Sequence, residues 1–303
     1  MIYRAHLGGL ISESSMRLVT FEQDGQAQPG VVVDGRVVSL REAGFDSLLS
    51  VLQGGPAAVA RVKAFTDIPV AGFPLDSVRL FAPIPDPPKI LCMGLNYRDH
   101  AREANLEIPK YPVIFAKYSN TVIGSGENIV LPKNSRKPDF EAEFAFVIGK
   151  RARHITADDW REYVVGYMNA NDVSARDYQM SVSQWTMGKN FDTFAPMGPW
   201  LVTADEIADP HNLNISLMLN GETMQSSNTR ELIFKVPETV AFLSSVMTLE
   251  AGDVVLTGTP AGVGFSRRPP RWLAPGDEIV VHIDGLGDLR NTCVAESPEN
   301  RKL

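Results

Sequence analysis

The sequence predicts an α+β fold rich in strand, and three observations carry that expectation. Short apolar runs bounded by turn residues outnumber the stretches with helical spacing. Asp34-Gly35 and Asn220-Gly221 each sit between two such runs, and a two-residue hairpin needs positive φ at both positions, which Asp, Asn and Gly tolerate. Strands and helices do not alternate regularly, as they would in a doubly wound parallel sheet.

Composition narrows the class without naming a function. At 303 residues the chain fits one large catalytic unit or two smaller ones. Apolar residues make up 44% and charged residues 21%, ordinary for a globular protein. A net charge of −7 lacks the basic surface that nucleic acid requires. No apolar run approaches the ~20 residues of a membrane-spanning helix, so no membrane partner is expected. Cys92 and Cys293 show no metal-type spacing, and a chain of this size does not depend on one disulfide. A reducing cytoplasmic location is therefore expected.

Residues 1–15 carry an early Arg and only a short apolar patch, without the core of a signal peptide. They are expected to be an extension outside the fold, which begins at Met16. From 16 to 40 the pattern is short strands and turns. Helices are expected over 41–52, where Leu48, Leu49 and Leu52 give an apolar face, and over 56–65. The prolines at 83, 85, 87 and 88 remove amide donors and fix φ, so this run is neither helix nor central strand. It divides a small N-terminal α/β domain, residues 16–85, from a catalytic domain, residues 86–303.

The second part opens with a buried strand over 89–94 and a short helix over 95–105. His100 and Glu103 share one face of that helix at i, i+3. A carboxylate beside an imidazole orients it and raises its basicity, as a general base requires. On spacing alone, an exposed surface pair is the better reading. Strands over 113–117 and 128–132 flank a turn at Gly124 and Gly126. A helix start is expected over 156–162 from a Thr156/Asp159 capping box.

Residues 139–148 form the stretch with the most chemistry. Read as one strand, they put Asp139, Glu141 and Glu143 on one face and Phe140, Ala142, Phe144 and Phe146 on the other. Buried carboxylates in line would neutralise or find a counter-ion, and no Lys or Arg lies within the strand. A divalent cation would serve, although a strand with one solvated face is the plain alternative. Asp172, closing the apolar run 164–171, supplies a further acid. Three carboxylates from two neighbouring strand ends are a hard-oxygen set suited to Mg²⁺ or Mn²⁺.

Downstream, 174–179 reads as a short helix or turn. Lys189, in a Gly- and Pro-broken loop among aromatics, is a candidate for holding an anionic substrate, against the alternative of an ordinary solvated lysine. Helical spacing covers 237–247. The glycine-rich loop 259–264 follows a strand but lacks the Lys-Ser/Thr ending of a P-loop, and no dinucleotide fingerprint fits. Its amides could hold a carboxylate or oxyanion. Strands over 278–283 and 289–294 close the chain. His154, His211 and His282 are read as strand or loop residues without a role.

Taken together, Gly94-Leu95-Asn96-Tyr97-Arg98-Asp99-His100-Ala101-Arg102-Glu103, Asp139-Phe140-Glu141-Ala142-Glu143, Asn171-Asp172-Val173-Ser174-Ala175-Arg176-Asp177, Gly188-Lys189-Asn190-Phe191-Asp192 and Leu256-Thr257-Gly258-Thr259-Pro260-Ala261-Gly262-Val263-Gly264 resemble the fumarylacetoacetate hydrolase family, in that order. The resemblance spans about 88–295 and implies a mixed β-sheet roll, usually a homodimer. It implies Glu141, Glu143 and Asp172 as ligands of one Mg²⁺ or Mn²⁺ per subunit. It also implies His100 and Glu103 as a water-activating dyad on a lid, which reverses the surface-pair reading. Lys189 takes a catalytic role by the same resemblance, and Arg176, Gln179 and Thr259 stand where relatives contact substrate.

The implied activity is hydrolysis of a C–C bond in an acylpyruvate or related 2,4-dioxo acid through a metal-stabilised enolate. The same site could serve an oxaloacetate-type decarboxylase or an oxo-dienoate lyase or isomerase. A non-catalytic binding protein on the same scaffold is the alternative from a different class.

Overall fold

The computed structural model describes residues 16–67 and 71–300. The expected extension, 1–15, lies outside the described residues. Both hairpins form where Asp34-Gly35 and Asn220-Gly221 predict them. Asp34 and Gly35 take φ of 47° and 72°, and Asn220 and Gly221 take 53° and 81°, so each pair has the double positive φ of the tight turn. The first joins strands Gln26–Val33 and Arg36–Ser39, and the second joins Asn214–Leu219 and Glu222–Asn228.

A large mixed sheet runs from Phe73–Pro74 through Arg36–Ser39, Gln26–Val33 and Arg17–Gln23. It continues through Ala195–Thr203, Val164–Asn171, Ala142–Ile148, Val254–Leu256 and Ile90–Gly94 to Val113–Lys117. A smaller sheet orders Glu222–Asn228, Asn214–Leu219, Glu278–Ile283, Gly287–Ala295 and Asn128–Leu131. The segment 16–85 feeds its strands into the large sheet, because Arg17–Gln23 pairs antiparallel with Ala195–Thr203.

The strand Ala142–Ile148 is central and buried at every residue. Phe144 and Phe146 point into the core between the sheets with Tyr167, Leu217, Val281 and Leu243. Ala145 and Val147 point into the opposite core, which holds Leu18, Leu48, Leu52, Met168 and Met197. Covering both faces explains why this strand reads as a nearly continuous apolar run.

Four expected elements come out differently. The strand expected over 139–148 is broken: Pro138–Asp139 pairs with Ser174–Ala175, and Ala142–Ile148 belongs to the large sheet. The alternation survives the break, since Phe140, Ala142, Phe144 and Phe146 all pack in one core. The helix expected over 41–52 is confined to Leu48–Gln53, since Gly44 turns at φ 79° and Ser47 supplies a capping box. The one expected over 95–105 narrows to Arg98–Glu103, because Leu95 sits at φ 52°. At Thr156 the hydroxyl bonds the Asp159 side chain at 2.7 Å, and only a 3₁₀ turn follows over Trp160–Glu162. The helices Gly55–Thr66 and Val236–Val246 carry proline in the first turn, where its missing amide costs nothing. Among the described residues, no helix is long and apolar enough to cross a membrane.

Candidate metal centre and active site

Two strand ends bring the acidic residues together. Ala142 pairs with Asn171, so Glu141, just before one strand, meets Asp172, just after the other, and the Asp172 amide donates to the Glu141 carbonyl at 2.9 Å. Glu143 lies on the same face as Glu141, one pleat further along. One carboxylate oxygen from each of Glu141, Glu143 and Asp172 can be chosen so that all lie within 4.8 Å of one another, and all three residues are buried.

The sequence suggested that these carboxylates lack a local counter-ion. The fold supplies three from elsewhere. Lys117 Nζ lies 2.6 Å from Asp172 Oδ1; Lys189 Nζ lies 2.6 Å from Asp172 Oδ2 and 2.8 Å from Glu141 Oε2. Arg176 Nη1 lies 2.6 Å from Glu141 Oε1. Lys189 is fully enclosed rather than solvated, with its ammonium 4.9 Å from the centre of the Phe115 ring. Asp139 belongs to a neighbouring ion pair, with Arg176 Nη2 at 2.8 Å from its Oδ2. The four carboxyl groups of Asp139, Glu141, Glu143 and Asp172 thus face three cations, Lys117, Lys189 and Arg176.

Charge is distributed unevenly within the cluster. Burial alone would raise Glu141, but Lys189 and Arg176 outweigh it and hold its carboxyl at about 2. Glu143 is pushed well above the usual carboxylate range by burial and then by Asp172 and Glu141. Its Oε2 accepts the Gly258 amide at 2.6 Å, while the three cations bond the other two acids. A hard dication among these oxygens would supply the positive charge Glu143 lacks, so the donor set fits Mg²⁺ or Mn²⁺.

The dyad forms on the short helix. His100 Nδ1 lies 3.2 Å from Glu103 Oε2, and the other Glu103 oxygen accepts the Gly262 amide at 3.0 Å. Burial raises Glu103, but hydrogen bonds from His100, Ser266 and Gly262 together lower it. The helix is tied down at its start. Asp99 accepts the His100 amide at 2.7 Å and the Ser227 hydroxyl, while Asn96 bridges Phe234 and the Thr257 carbonyl. Glu103 is exposed and His100 half-buried, so the pair is anchored at a solvent-facing edge. His100 is also near enough to Glu141 for its charge to act there.

Arg176 and Gln179 meet through a 2.8 Å bond from Nη1 to Oε1. The Thr259 hydroxyl accepts from Gln225 Nε2 at 2.8 Å, and Gln225 Oε1 accepts the Ala142 amide at 2.9 Å. All nine expected site residues therefore fall within one connected region. Lys117 and Gln225 escaped the sequence reading. Lys117 had a signal, a lone lysine closing the apolar run Val113–Lys117; Gln225 had none, since its partners come from distant segments.

Residues 89–294 match the family model described as fumarylacetoacetate (FAA) hydrolase C-terminal. The chain belongs to the fumarylacetoacetate hydrolase family. Similar relatives include an oxaloacetate tautomerase of Rattus norvegicus, 45% identical over 292 residues, and one of Homo sapiens, 43% identical over 292 residues; each alignment covers 92% of both chains. Among solved structures in the family, a fumarylacetoacetate hydrolase from Exiguobacterium antarcticum is 36% identical with a TM-score of 0.79. A maleylpyruvate hydrolase from Sphingobium sp. SYK-6 is 31% identical with a TM-score of 0.80. Both alignments cover 93% of this chain and 100% of the other.

These family members correct one expectation. The rat, bovine and human relatives are mitochondrial by name, which overturns the cytoplasmic location inferred from cysteine usage. Cys92 and Cys293 are indeed free and buried, but a free thiol reports on redox conditions and does not distinguish one reducing compartment from another.

Proposed function

We propose that this enzyme is a divalent-metal-dependent oxaloacetate tautomerase, with Glu141, Glu143 and Asp172 holding one Mg²⁺ or Mn²⁺ per subunit. The observation that carries the reading is the convergence of three buried carboxylates, ringed by Lys117, Lys189 and Arg176, with an oriented imidazole beside them. A dication held there would supply Lewis-acid stabilisation of negative charge on a 2-oxo acid. Its two positive charges, added to those of Lys117, Lys189 and Arg176, would favour a substrate dianion.

His100, oriented by Glu103, takes the proton from C3 of the keto form. The C3–H bond breaks, its electrons form the C2=C3 double bond, and the 2-oxo oxygen gains the charge and then the proton that His100 gives up, directly or through solvent, which restores the base. The Lys189 ammonium faces that developing charge, and such placed donors contribute ~3–4 kcal/mol. Arg176, Gln179 and Thr259 orient the carboxylates. Tautomerisation needs a base and an enolate-stabilising site but no attacking water, so the long likeness to oxaloacetate tautomerases favours it over hydrolysis. A second reading, cleavage or isomerisation of a longer 2-oxo acid, draws support from the maleylpyruvate hydrolase likeness. The subunit is proposed to pair as a homodimer, which light scattering tests.

The deciding experiment follows loss of the enol absorbance of oxaloacetate with and without Mn²⁺, with pyruvate and CO₂ measured in parallel. Metal-dependent interconversion without pyruvate supports the tautomerase. Pyruvate with CO₂ would replace it by a decarboxylase, and turnover of acylpyruvates alone by a hydrolase.

A further inference from the structure

Asp139 is fully buried yet belongs to neither the carboxylate triad nor the dyad. Five donors converge on it. Its Oδ1 accepts the Phe140 amide at 2.9 Å and the Gly264 amide at 2.8 Å. Its Oδ2 accepts the Phe265 amide at 3.0 Å and faces Arg176 Nε at 2.9 Å and Nη2 at 2.8 Å. Gly264 leaves no latitude: a Cβ there would stand 2.6 Å from Asp139 Oδ1 and 1.9 Å from the Arg271 carbonyl oxygen.

Each side of this carboxylate leads to a different part of the site. The Arg176 guanidinium continues to Glu141 Oε1 at 2.6 Å and to Gln179 Oε1 at 2.8 Å. The 262–265 segment, pinned at Gly264 and Phe265, carries the Gly262 amide that holds Glu103 at 3.0 Å, and Glu103 in turn orients His100. Among the described residues, Asp139 is therefore the one group bonded both to the arginine that reaches the triad and to the loop that reaches the dyad.

We infer that Asp139 is a positioning residue: through Arg176 on one side and the 262–265 loop on the other, it sets the register of the His100–Glu103 pair against the triad. That this register serves turnover rests on the function proposed above; the mechanical link does not. Charge-assisted bonds of this kind are stronger than neutral ones, and losing one lets the segment it holds open more often.

The test uses the full chain carrying Asp139→Asn, a near-isosteric change that removes the charge. Amide hydrogen exchange should accelerate by about tenfold or more at Gly264 and Phe265, which bond Asp139 directly. It should also accelerate at Gly262, which bonds Glu103 instead. Acceleration at Gly264 and Phe265 with Gly262 unchanged would overturn the link. In kinetics, Asp139→Asn should lower kcat by about tenfold or more, and adding it to Glu103→Gln should cost less than the product of the two single losses. Multiplicative losses would overturn the inference. If the wild type does not turn over oxaloacetate, the functional reading fails, and the exchange at Gly262 still decides the link. If Asp139→Asn does not fold, Arg176→Lys loosens the same carboxylate with the charge kept and must accelerate the same three amides.

Discussion

Lys117 and Asp172 form an ion pair in which neither side chain reaches solvent, with Nζ 2.6 Å from Oδ1. Removing one partner of a buried pair typically costs ~3–5 kcal/mol, because the other is left buried and uncompensated. Lys117→Met should lower the unfolding free energy of the metal-free protein by less than that amount, because Lys189 Nζ still lies 2.6 Å from Asp172 Oδ2. A bound dication at Asp172 would replace the missing charge, so the loss should shrink under saturating Mn²⁺. Urea unfolding with chelator and with Mn²⁺ measures both, and equal losses would mean that lysine and metal do not share Asp172.

Metal itself should stabilise the fold. A ligand that binds only the native state at a hundred times its Kd adds about 2.7 kcal/mol. Mn²⁺ should raise the Tm of the wild type, and chelation should reverse the rise. Glu143→Gln removes the triad member that no cation pairs, and its Tm should hardly respond to Mn²⁺. A full metal-dependent rise in that variant would remove Glu143 from the ligand set.

His100→Ala should reduce turnover by about 10²–10⁴-fold, the usual contribution of a positioned general base. Calorimetric Mn²⁺ affinity should be unchanged, since His100 bonds Glu103 rather than the triad. Glu103→Gln should fall between wild type and His100→Ala, because an amide orients the ring without stabilising its charged form. Undiminished turnover in His100→Ala would assign the base elsewhere.

The core offers a test independent of chemistry. Phe144 is fully buried and stacks on Tyr167 with ring centres 5.2 Å apart. Phe144→Ala should destabilise by ~3–5 kcal/mol, the range for emptying a well-packed aromatic site. A loss below about 1 kcal/mol by urea unfolding would mean that the cavity collapses freely.

How much of this was legible in the chain differs by residue and for physical reasons. Period-two alternation placed Glu141 and Glu143 on one face because a strand's geometry fixes it locally. The break in pairing that separates Asp139 from the strand beginning at Ala142 was not readable, because no local signal marks it. Asp34-Gly35 and Asn220-Gly221 were readable because their φ demands are intrinsic to the residues. Lys117, Gln225 and the counter-ion roles of Lys189 and Arg176 depend on contacts between segments dozens of residues apart, which periodicity does not encode.

A last expectation concerns His282, read from sequence as a strand histidine without a role. It pairs across its hairpin with Asp288, Nδ1 to Oδ1 at 2.7 Å, and Asp288 also bonds Arg290. The hydrogen bond to Asp288 is the main cause that raises His282 above its ordinary value of 6.5, with Asp288 and Asp284 charges adding to it against burial. The same bond, ahead of Arg290, lowers Asp288. A histidine raised on folding contributes stability that is fully present below its unfolded pKa of ~6.5 and is lost as pH rises through the higher folded value. A lowered aspartate contributes above its unfolded pKa of ~3.9 and loses that as pH falls through the folded one. The pair is therefore at full strength between about pH 4 and 6.5. The Tm difference between wild type and His282→Gln should be largest near pH 5.5 and shrink toward pH 9. A difference that stays constant or grows with pH would mean that the histidine's charge contributes nothing to the hairpin.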